Sequence, residues 1–373
     1  MEYLARFYIA EGVLGRETHS PLLFVLVADL RQSILNKAKD QNLLHLPLPL
    51  RCSSDFPIIQ YADDTLIVME ACSRQLLTLK ALLHSFGEST GLKVNYSKSV
   101  MVPINIQESK LDHLARTLNC ETGKLPFTYL GLPLGLTKPK VIDFSPLVSR
   151  CERRLAATSI FLNQAGRLEL TNSVFSAFPT FCMSTFALHN TVIAQIDKFR
   201  KLCLWRGADL NARQKLKAAW TNVCKSKQEG GLGMIDLKTQ NEALLLKHLM
   251  KIFNREDLPW VSLVWESYYE AGSLPSLTKK GSFWWRDMLK LLDKFKGLAM
   301  VNINNAKSCF LWTDLWNNKV PMHTYPELFS FVKSKTTILA EAKSRENILN
   351  LFHLPLSQQA FDHLLNYSKT YNS

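Results

Sequence analysis

The chain carries the sequence Ile59-Gln60-Tyr61-Ala62-Asp63-Asp64-Thr65, in which three residues separate two short apolar segments, Ile58–Tyr61 and Thr65–Met69. Apolar segments this close together predict a β-hairpin. Adjacent residues of a straight strand point to opposite faces, so both carboxylates can converge only at a turn. Two acids there repel each other unless a cation is present, and Mg²⁺ prefers oxygen ligands. An exposed acidic turn is the better interpretation of the tetrapeptide alone, but its flanking strands and the downstream sequence favour a metal site.

The charge of the chain is unevenly distributed. Its 373 residues carry a formal net charge of +13, from 45 basic and 32 acidic side chains. Residues 1–150 are nearly balanced, whereas residues 151–373 hold 29 basic and 18 acidic side chains. Within Lys198–Lys227 nine side chains are basic and one, Asp209, is acidic. Such an excess favours a polyanionic partner, either a nucleic acid or an anionic membrane surface.

Composition and cysteine spacing exclude several classes of protein. Apolar residues make up 47% of the chain, which excludes disorder over its whole length. Eight dispersed cysteines lack the spacing of a zinc site and predict reduced thiols in an intracellular protein. The first residues lack the apolar core of a signal peptide. Leu170–Ile196 contains no charged residue but several polar ones, which predicts buried helices rather than a membrane span.

Hydrophobic periodicity divides the chain into a mixed amino-terminal part and a helical remainder. Ser20-Pro21 predicts the start of a helix. Apolar residues at helical spacing predict the buried face of that helix: Leu23, Val27, Leu30 and Ile34. Leu92–Tyr96 and Val100–Ile104 have the pattern of strands, and Tyr129–Gly135 predicts a tight hairpin or turn. After Ser145-Pro146 the pattern is helical.

The hairpin belongs to an ordered set of motifs. Ile59–Thr65 resembles the catalytic Tyr-x-Asp-Asp box of reverse transcriptases. Gly91–Ser99 resembles the palm segment that follows it in non-LTR, LINE-type retrotransposon enzymes. Tyr129–Gly135 resembles their next signature, a hairpin that helps to seat the primer end. Further segments resemble the thumb and the region beyond it, particularly in the plant lineage: Ala165–Leu168, Gly230–Gly233, Asn241–Leu245, Ser282–Trp285 and Phe310–Trp316.

This resemblance implies template-directed addition of deoxynucleotides to a primer 3′-end, with two Mg²⁺ ions as cofactors. Asp63 and Asp64 match the metal-binding carboxylates of the family. Tyr61 lies where the family contacts the primer–template terminus. The implied partners are an RNA template and a DNA primer or target, and no membrane is expected.

The resemblance implies a role for three other residues, and a structural explanation accounts for each of them at least equally well. Lys98 matches a lysine assigned to the triphosphate or to protonation of the leaving pyrophosphate, and it is equally well explained as an exposed lysine beside Tyr96. Tyr129 and Gly131 match the primer-seating hairpin. Ordinary hairpin packing explains both of them at least as well.

Two departures from the family pattern reduce the expected activity. The family needs another Asp from a strand upstream of the helix that begins at Pro21, and none of the residues before that helix is Asp. The family's turn Gly-x-x-Gln-Gly-Asp-Pro-x-Ser-Pro corresponds to Gly12–Pro21, which keeps only its first Gly and the closing Ser-Pro. We therefore expect an amino-terminally truncated element that is inactive as a polymerase on its own.

The expected fold class is α+β, a partial polymerase palm with antiparallel strands and helices, followed by a mainly helical thumb and a helical extension. The predicted domains are residues 1–144 (palm), 145–256 (thumb-like) and 257–373 (basic, aromatic-rich extension). The expected function is that of a fragment of an RNA-directed DNA polymerase from a LINE-type retrotransposon. The alternative is a non-catalytic, basic nucleic-acid-binding remnant.

The basic run suggests where nucleic acid would bind. We predict that seven side chains line a groove for its backbone: Lys198, Arg200, Lys201, Arg206, Arg213, Lys215 and Lys217. The family resemblance implies a nuclear location, although no run of five or more basic residues is present.

Overall fold

The computed structural model describes residues 3–8, 20–47, 55–158, 162–206, 218–269, 281–299, 309–316, 319–344 and 347–371. The chain divides into two compact units, Met1–Leu136 and Thr137–Ser373. The first unit combines strands with helices, and the second is mainly helical. The palm assignment and the predicted boundaries at residues 144 and 256 stay predictions.

The first unit consists of short strands and three helices in its described part. The strands are β1 (Tyr3–Tyr8), β2 (Ile58–Tyr61), β3 (Asp64–Glu70), β4 (Val100–Met101), β5 (Glu121–Thr122), β6 (Phe127–Tyr129) and β7 (Leu132–Leu134). The helices are α1 (Ser20–Asp40), α2 (Ser73–Thr90) and α3 (Glu108–Leu118). Helix α1 begins at Ser20, as the Ser-Pro pair predicts.

Five strands form one sheet in the order β2-β3-β1-β4-β5. Strands β2 and β3 are antiparallel, with Tyr61 opposite Asp64, so Ala62 and Asp63 form the connecting turn. The predicted hairpin around the Asp pair is therefore confirmed. Strand β1 pairs antiparallel with β3 on one side and with β4 on the other. A polypeptide segment far from the hairpin in sequence thus lies directly beside it.

Alternation along β3 shows which face of the sheet the helices cover. Thr65, Ile67 and Met69 are buried, whereas Leu66 and Val68 between them are only partly buried. Ile67 and Met69 share one apolar core with buried residues of all three helices, including Leu35 of α1. Asp64 has the same parity as Leu66, so it belongs to the less covered face of the sheet.

The buried face of α1 differs from the predicted one. Leu30 is 44% exposed, and the residue that follows it, Arg31, is only 2% exposed. Arg31 lies on the buried face with Leu35 and Ala38, at the i, i+4 and i+7 positions of a helical stripe. The prediction is wrong at Leu30, whereas Val27 and Ile34 are partly buried against the cluster of Phe86 and Leu92.

A second hairpin confirms the turn predicted at Tyr129–Gly135. Strands β6 and β7 pair antiparallel, with Tyr129 opposite Leu132. The two turn residues both have positive φ, 50° at Leu130 and 81° at Gly131. A two-residue hairpin with positive φ at both positions matches the right-handed twist of its strands, and glycine adopts this conformation without strain.

The second unit is built from helices in its described part. They are α4 (Ser145–Thr158), α5 (Gln164–Leu170), α6 (Thr180–Thr185), α7 (Asn190–Arg206), α8 (Trp220–Val223), α9 (Leu237–Phe253), α10 (Pro259–Tyr268), α11 (Phe283–Leu289), α12 (Leu292–Leu298), α13 (Pro321–Thr324), α14 (Pro326–Ser330), α15 (Leu339–Lys343) and α16 (Gln358–Tyr371). A π-helical segment, Thr171–Phe175, follows α5 directly. In the part of the chain that the structure describes, every helix is too short or too polar to cross a bilayer.

Two kinds of contact organise the second unit. Tryptophans of the aromatic-rich region, among them Trp285 and Trp312, are buried in apolar clusters. Asn241 of α9 is also buried, and it is hydrogen-bonded to α6 and to the segment that joins α6 to α7. Its amide bonds the carbonyls of Met183 and Phe186 and the N–H of Leu188, at 2.7, 2.8 and 2.9 Å.

Candidate functional site

The tip of the β2–β3 hairpin presents three of the residues predicted to be functional. Tyr61 is 63% exposed. Asp63 is exposed within the turn, and Asp64, the first residue of β3, is half-buried. The turn permits two consecutive carboxylates to lie at one end of the hairpin, which a straight strand would not.

Contacts with α1 hold this hairpin in place. Ala62 has a φ of 49°, a left-handed conformation that costs a non-glycine residue roughly 1–2 kcal/mol. The surrounding contacts offset that strain. The Gln60 side chain donates to the Ala28 carbonyl at 3.3 Å, and Arg31 Nη1 donates to Thr65 Oγ1 at 2.8 Å. One bond thus anchors each strand beside the turn.

Lys98 lies in a turn rather than beyond a strand. The strand predicted over Leu92–Tyr96 is wrong, because Asn95 Oδ1 accepts hydrogen bonds from the Lys98 N–H at 3.2 Å and from Ser97 Oγ at 2.7 Å. A side chain that bonds its own backbone in this way favours a turn. Lys98 itself is exposed.

The pairing of β1 places Lys98 and the hairpin tip at the same end of the sheet. Tyr8 lies opposite Asp64, and Arg6 lies opposite Val100. Tyr8 follows Arg6 by two residues, and Lys98 precedes Val100 by two residues on an antiparallel neighbour. The turn that contains Lys98 therefore leads into β4 at the end of the sheet where the hairpin tip also lies.

The carboxylates of the described residues fall short of a two-ion site. Mg²⁺ requires near-octahedral coordination by oxygen, and two such ions share several carboxylate ligands. Strand β1, the neighbour of Asp64, has the sequence Tyr-Leu-Ala-Arg-Phe-Tyr, which contains no carboxylate. No group of three or more His, Cys, Asp or Glu side chains suited to a metal is found in the described ranges. Asp63 and Asp64 alone do not fit a pair of Mg²⁺ ions.

The second hairpin places Tyr129 and Gly131 in different environments. The Tyr129 side chain is 7% exposed. Gly131 is exposed in the turn. Burial of the ring agrees with the packing alternative for Tyr129, while the primer-seating role of this hairpin stays a prediction.

The predicted basic groove needs one correction. The Arg200 side chain has no exposed surface, and it bonds Asp197 Oδ1 at 2.6 Å, Ser176 Oγ at 3.0 Å and the Ile235 carbonyl at 2.7 Å. Its assignment to a phosphate-binding groove is wrong, because a buried guanidinium with three internal partners cannot reach a phosphate. Arg200 instead joins α7 to the segment that precedes α9.

The other predicted groove residues have mixed positions. Lys198 is exposed, and Lys201 is partly buried with its Nζ atom 5.5 Å from the centre of the Trp220 ring. The remaining four side chains lie outside the part of the chain whose side chains are described: Arg206, Arg213, Lys215 and Lys217.

The burial of two arginines, Arg31 and Arg200, is not among the predictions from the sequence. Arg200 follows Val192 and Ile196 at intervals of four, and both of those residues are fully buried. Arg31 stands in the same relation to Leu35 of α1. The helical spacing contains the signal, but charged residues are rarely fully buried, and that general tendency outweighed the spacing.

Comparisons with known proteins give two relatives, while no family model matches the chain. Over 187 residues, 48% of its length, the chain is 29% identical to a protein of Arabidopsis thaliana named as a ribonuclease H protein, and it spans 30% of that protein. Over 143 residues, 38% of its length, it is 27% identical to an uncharacterized mitochondrial protein of Arabidopsis thaliana, of which it spans 92%. Relatives of this kind are typical of retrotransposon-derived sequences.

Proposed function

We propose that the chain contains the catalytic hairpin of an RNA-directed DNA polymerase from a LINE-type retrotransposon. The observation that carries this proposal is the Tyr61–Asp64 turn, which presents Asp63 and Asp64 at the sheet end where Lys98 also lies. Carboxylates at a rigid turn can hold divalent ions beside a primer 3′-hydroxyl, and a nearby lysine suits a phosphate or a leaving pyrophosphate.

The relatives support a nucleic-acid substrate class. One of them is named as a ribonuclease H protein, a name that implies action on nucleic acid. The chain spans less than a third of that relative, so the activity of the whole relative is a proposal for this chain. The net charge of +13 agrees with a polyanionic partner.

We expect these 373 residues to bind primed nucleic acid without extending the primer. Two carboxylates leave Mg²⁺ largely hydrated and loosely positioned, because this ion gives up water reluctantly. Misplacement of a reacting group by about 1 Å costs on the order of a hundredfold in rate. Primer extension with Mg²⁺ or Mn²⁺ should therefore give no product above that of the Asp63→Asn variant. Robust extension that disappears in Asp63→Asn would refute the incomplete-site argument.

A crosslinking experiment tests the hairpin assignment independently of catalysis. A DNA primer with a photoreactive 4-thiothymine at its 3′-end is annealed to an RNA template, irradiated with the full chain and mapped by mass spectrometry. We expect crosslinks to concentrate in residues 58–70, and Tyr61→Ala to reduce them. The control Leu77→Ala, which removes another large exposed side chain of the same unit from helix α2, should leave them unchanged. Crosslinks without enrichment at the hairpin would contradict the proposal and favour a non-catalytic nucleic-acid-binding protein.

A further inference from the structure

Helices α7 and α8 and the loop that follows α8 pack together in the second unit. They share a small apolar cluster whose buried members are Leu204, Val223 and Met234. Arg200 adds a polar connection, because its Nη2 donates to the Ile235 carbonyl at 2.7 Å. The carboxyl-terminal half of α7 is therefore a neighbour of the glycine-rich loop Lys225–Gly233.

The backbone of this loop is held closely. The Gly233 N–H donates to the Lys225 carbonyl at 2.9 Å. A Cβ atom added at Gly231 would overlap the same carbonyl oxygen, so only glycine fits there. Ser226 and Glu229 form a reciprocal capping box within the loop. The loop thus presents its two lysines, both exposed, from a fixed backbone.

Lysines outnumber carboxylates around this loop, and one of those carboxylates, Asp197, is paired with the buried Arg200. The loop's neighbouring carboxylates accept hydrogen bonds from their own segments: Asp197 from Arg200, Glu229 from Ser226 and Asp236 from the Thr239 N–H. None of four lysines forms an ion pair with another residue in the described ranges: Lys198, Lys201, Lys225 and Lys227. We call these four residues the lysine surface.

We infer that the lysine surface binds the phosphodiester backbone of a nucleic-acid duplex. A nucleic-acid backbone that contacts several exposed lysines releases its own counterions, and this release favours binding. Lysine ammonium groups bind phosphates as point charges, without a requirement for base sequence. Compared with the groove predicted from the sequence, the lysine surface omits the buried Arg200 and adds the loop lysines Lys225 and Lys227.

The identity of the partner rests on the function proposed above. A nucleic acid is favoured over an anionic membrane because the chain also presents the carboxylate hairpin and has a ribonuclease H protein among its relatives. Trp220 adds an aromatic ring beside Lys201, 5.5 Å from its Nζ atom. Aromatic rings that alternate with cations are a common feature of nucleic-acid-binding surfaces.

The chain offers a matched control for the test. The loop contains the tripeptide Lys225-Ser226-Lys227, and a turn of the same unit contains Lys333-Ser334-Lys335, whose two lysines are also exposed. The double variants Lys225→Gln/Lys227→Gln and Lys333→Gln/Lys335→Gln therefore remove the same charge from the same tripeptide. Their affinities for a 20-base-pair RNA–DNA duplex are measured by fluorescence anisotropy between 50 and 300 mM salt.

Loss of two phosphate contacts should flatten the slope of log affinity against log salt by about 1.8 and weaken binding roughly 60-fold at 0.1 M salt. We expect these changes for the Lys225/Lys227 pair and unchanged binding for the Lys333/Lys335 pair. Equal losses in both pairs, or no loss in the first, would overturn the inference. Tighter, lysine-dependent binding to vesicles rich in anionic lipid than to the duplex would also overturn it.

The two proposals fail in distinguishable ways. If the Lys225/Lys227 variant binds normally while primer-end crosslinks still map to residues 58–70, the lysine surface is refuted and the hairpin assignment stands. If the variant loses binding as expected but primer-end crosslinks show no preference for the hairpin, the polymerase assignment is refuted and the lysine surface stands.

Discussion

Replacement of Arg31 by methionine should stabilise the first unit of the chain. The Arg31 side chain is 2% exposed, and among the described residues its Nε and Nη2 atoms have no hydrogen-bond partner. Its Nη1 atom donates to Thr65 Oγ1 at 2.8 Å, and the guanidinium carbon lies 4.8 Å from the centre of the Phe86 ring. A buried charge with so little compensation destabilises the folded state, and an apolar side chain of similar length removes that cost.

The expected magnitude follows from the pKa of this group. Burial lowers the pKa of the Arg31 guanidinium from its ordinary value to about 10, because it disfavours the charged form. At roughly 1.4 kcal/mol per pKa unit, this shift destabilises the fold by about 3 kcal/mol at neutral pH. Loss of the bond to Thr65 costs about 1–2 kcal/mol in the opposite direction. The net gain in the free energy of unfolding should be about 1–2 kcal/mol.

The same pKa fixes the pH dependence of this gain. The penalty is complete below the folded-state pKa near 10 and disappears as the pH rises to the ordinary pKa of arginine, where the unfolded group also loses its proton. The difference between Arg31→Met and the wild-type chain should therefore stay constant between pH 6 and pH 9.

The assay has to report on the first unit alone. All eight tryptophans lie in residues 205–316, so tryptophan fluorescence follows the second unit. Hydrogen exchange measured by mass spectrometry on peptides from α1 and β3 is suitable, and a gain of this size slows exchange roughly 5- to 30-fold. Arg74→Met, at an exposed position of α2, is the control and should leave exchange unchanged. Faster exchange in Arg31→Met with a normal Arg74→Met would refute the reasoning.

Two further predictions concern the stability of the second unit, measured by urea unfolding with tryptophan fluorescence. Gly231→Ala should lower the free energy of unfolding by about 1–3 kcal/mol, because the added Cβ would overlap the Lys225 carbonyl. Gly297→Ala in α12, where the added Cβ meets open space, should raise it by up to about 1 kcal/mol. Equal effects of both changes would contradict this. Asn241→Ala should lower the free energy of unfolding by about 2–4 kcal/mol, because three buried backbone groups lose their partner. The control is Asn222→Ala at an exposed position, and an equally small effect of both variants would contradict this bonding.

The hairpins could be predicted from the sequence because their determinants are adjacent along the chain. The apolar segments predict each hairpin, and the structure adds the register, with Tyr61 opposite Asp64 and Tyr129 opposite Leu132. Asp64 therefore belongs to β3 rather than to the predicted three-residue turn. Neighbouring residues also determine that α1 begins at Ser20 and that Asn95 and Lys98 form a turn. In the last case a capping side chain outweighed the strand pattern of the preceding residues.

The roles of the arginines could not be predicted from their charge. Arg200 belongs to a basic run and was therefore placed at a nucleic-acid surface, yet it occupies a buried helical position and has Asp197 and two oxygen acceptors as internal partners. Whether a cation in such a run faces solvent depends on the helical phase of the segment. The phase is visible in the buried residues Val192 and Ile196. Net charge therefore indicates the class of partner, whereas periodicity indicates which cations can reach it.

Strand order is the feature that decides the chemistry of the hairpin tip, and it depends on contacts between distant segments. Strand β1 lies between β3 and β4, which places Tyr8 opposite Asp64, more than fifty residues away in sequence. In an antiparallel pair the opposite residue shares the same face, so this position is the one from which a neighbouring strand would add a carboxylate beside Asp64. The residue there is a tyrosine. Binding of nucleic acid without primer extension is therefore expected from the register of the sheet, because within the described residues that register places the Lys98 turn at the hairpin end and pairs Asp64 with a tyrosine rather than with a third acid.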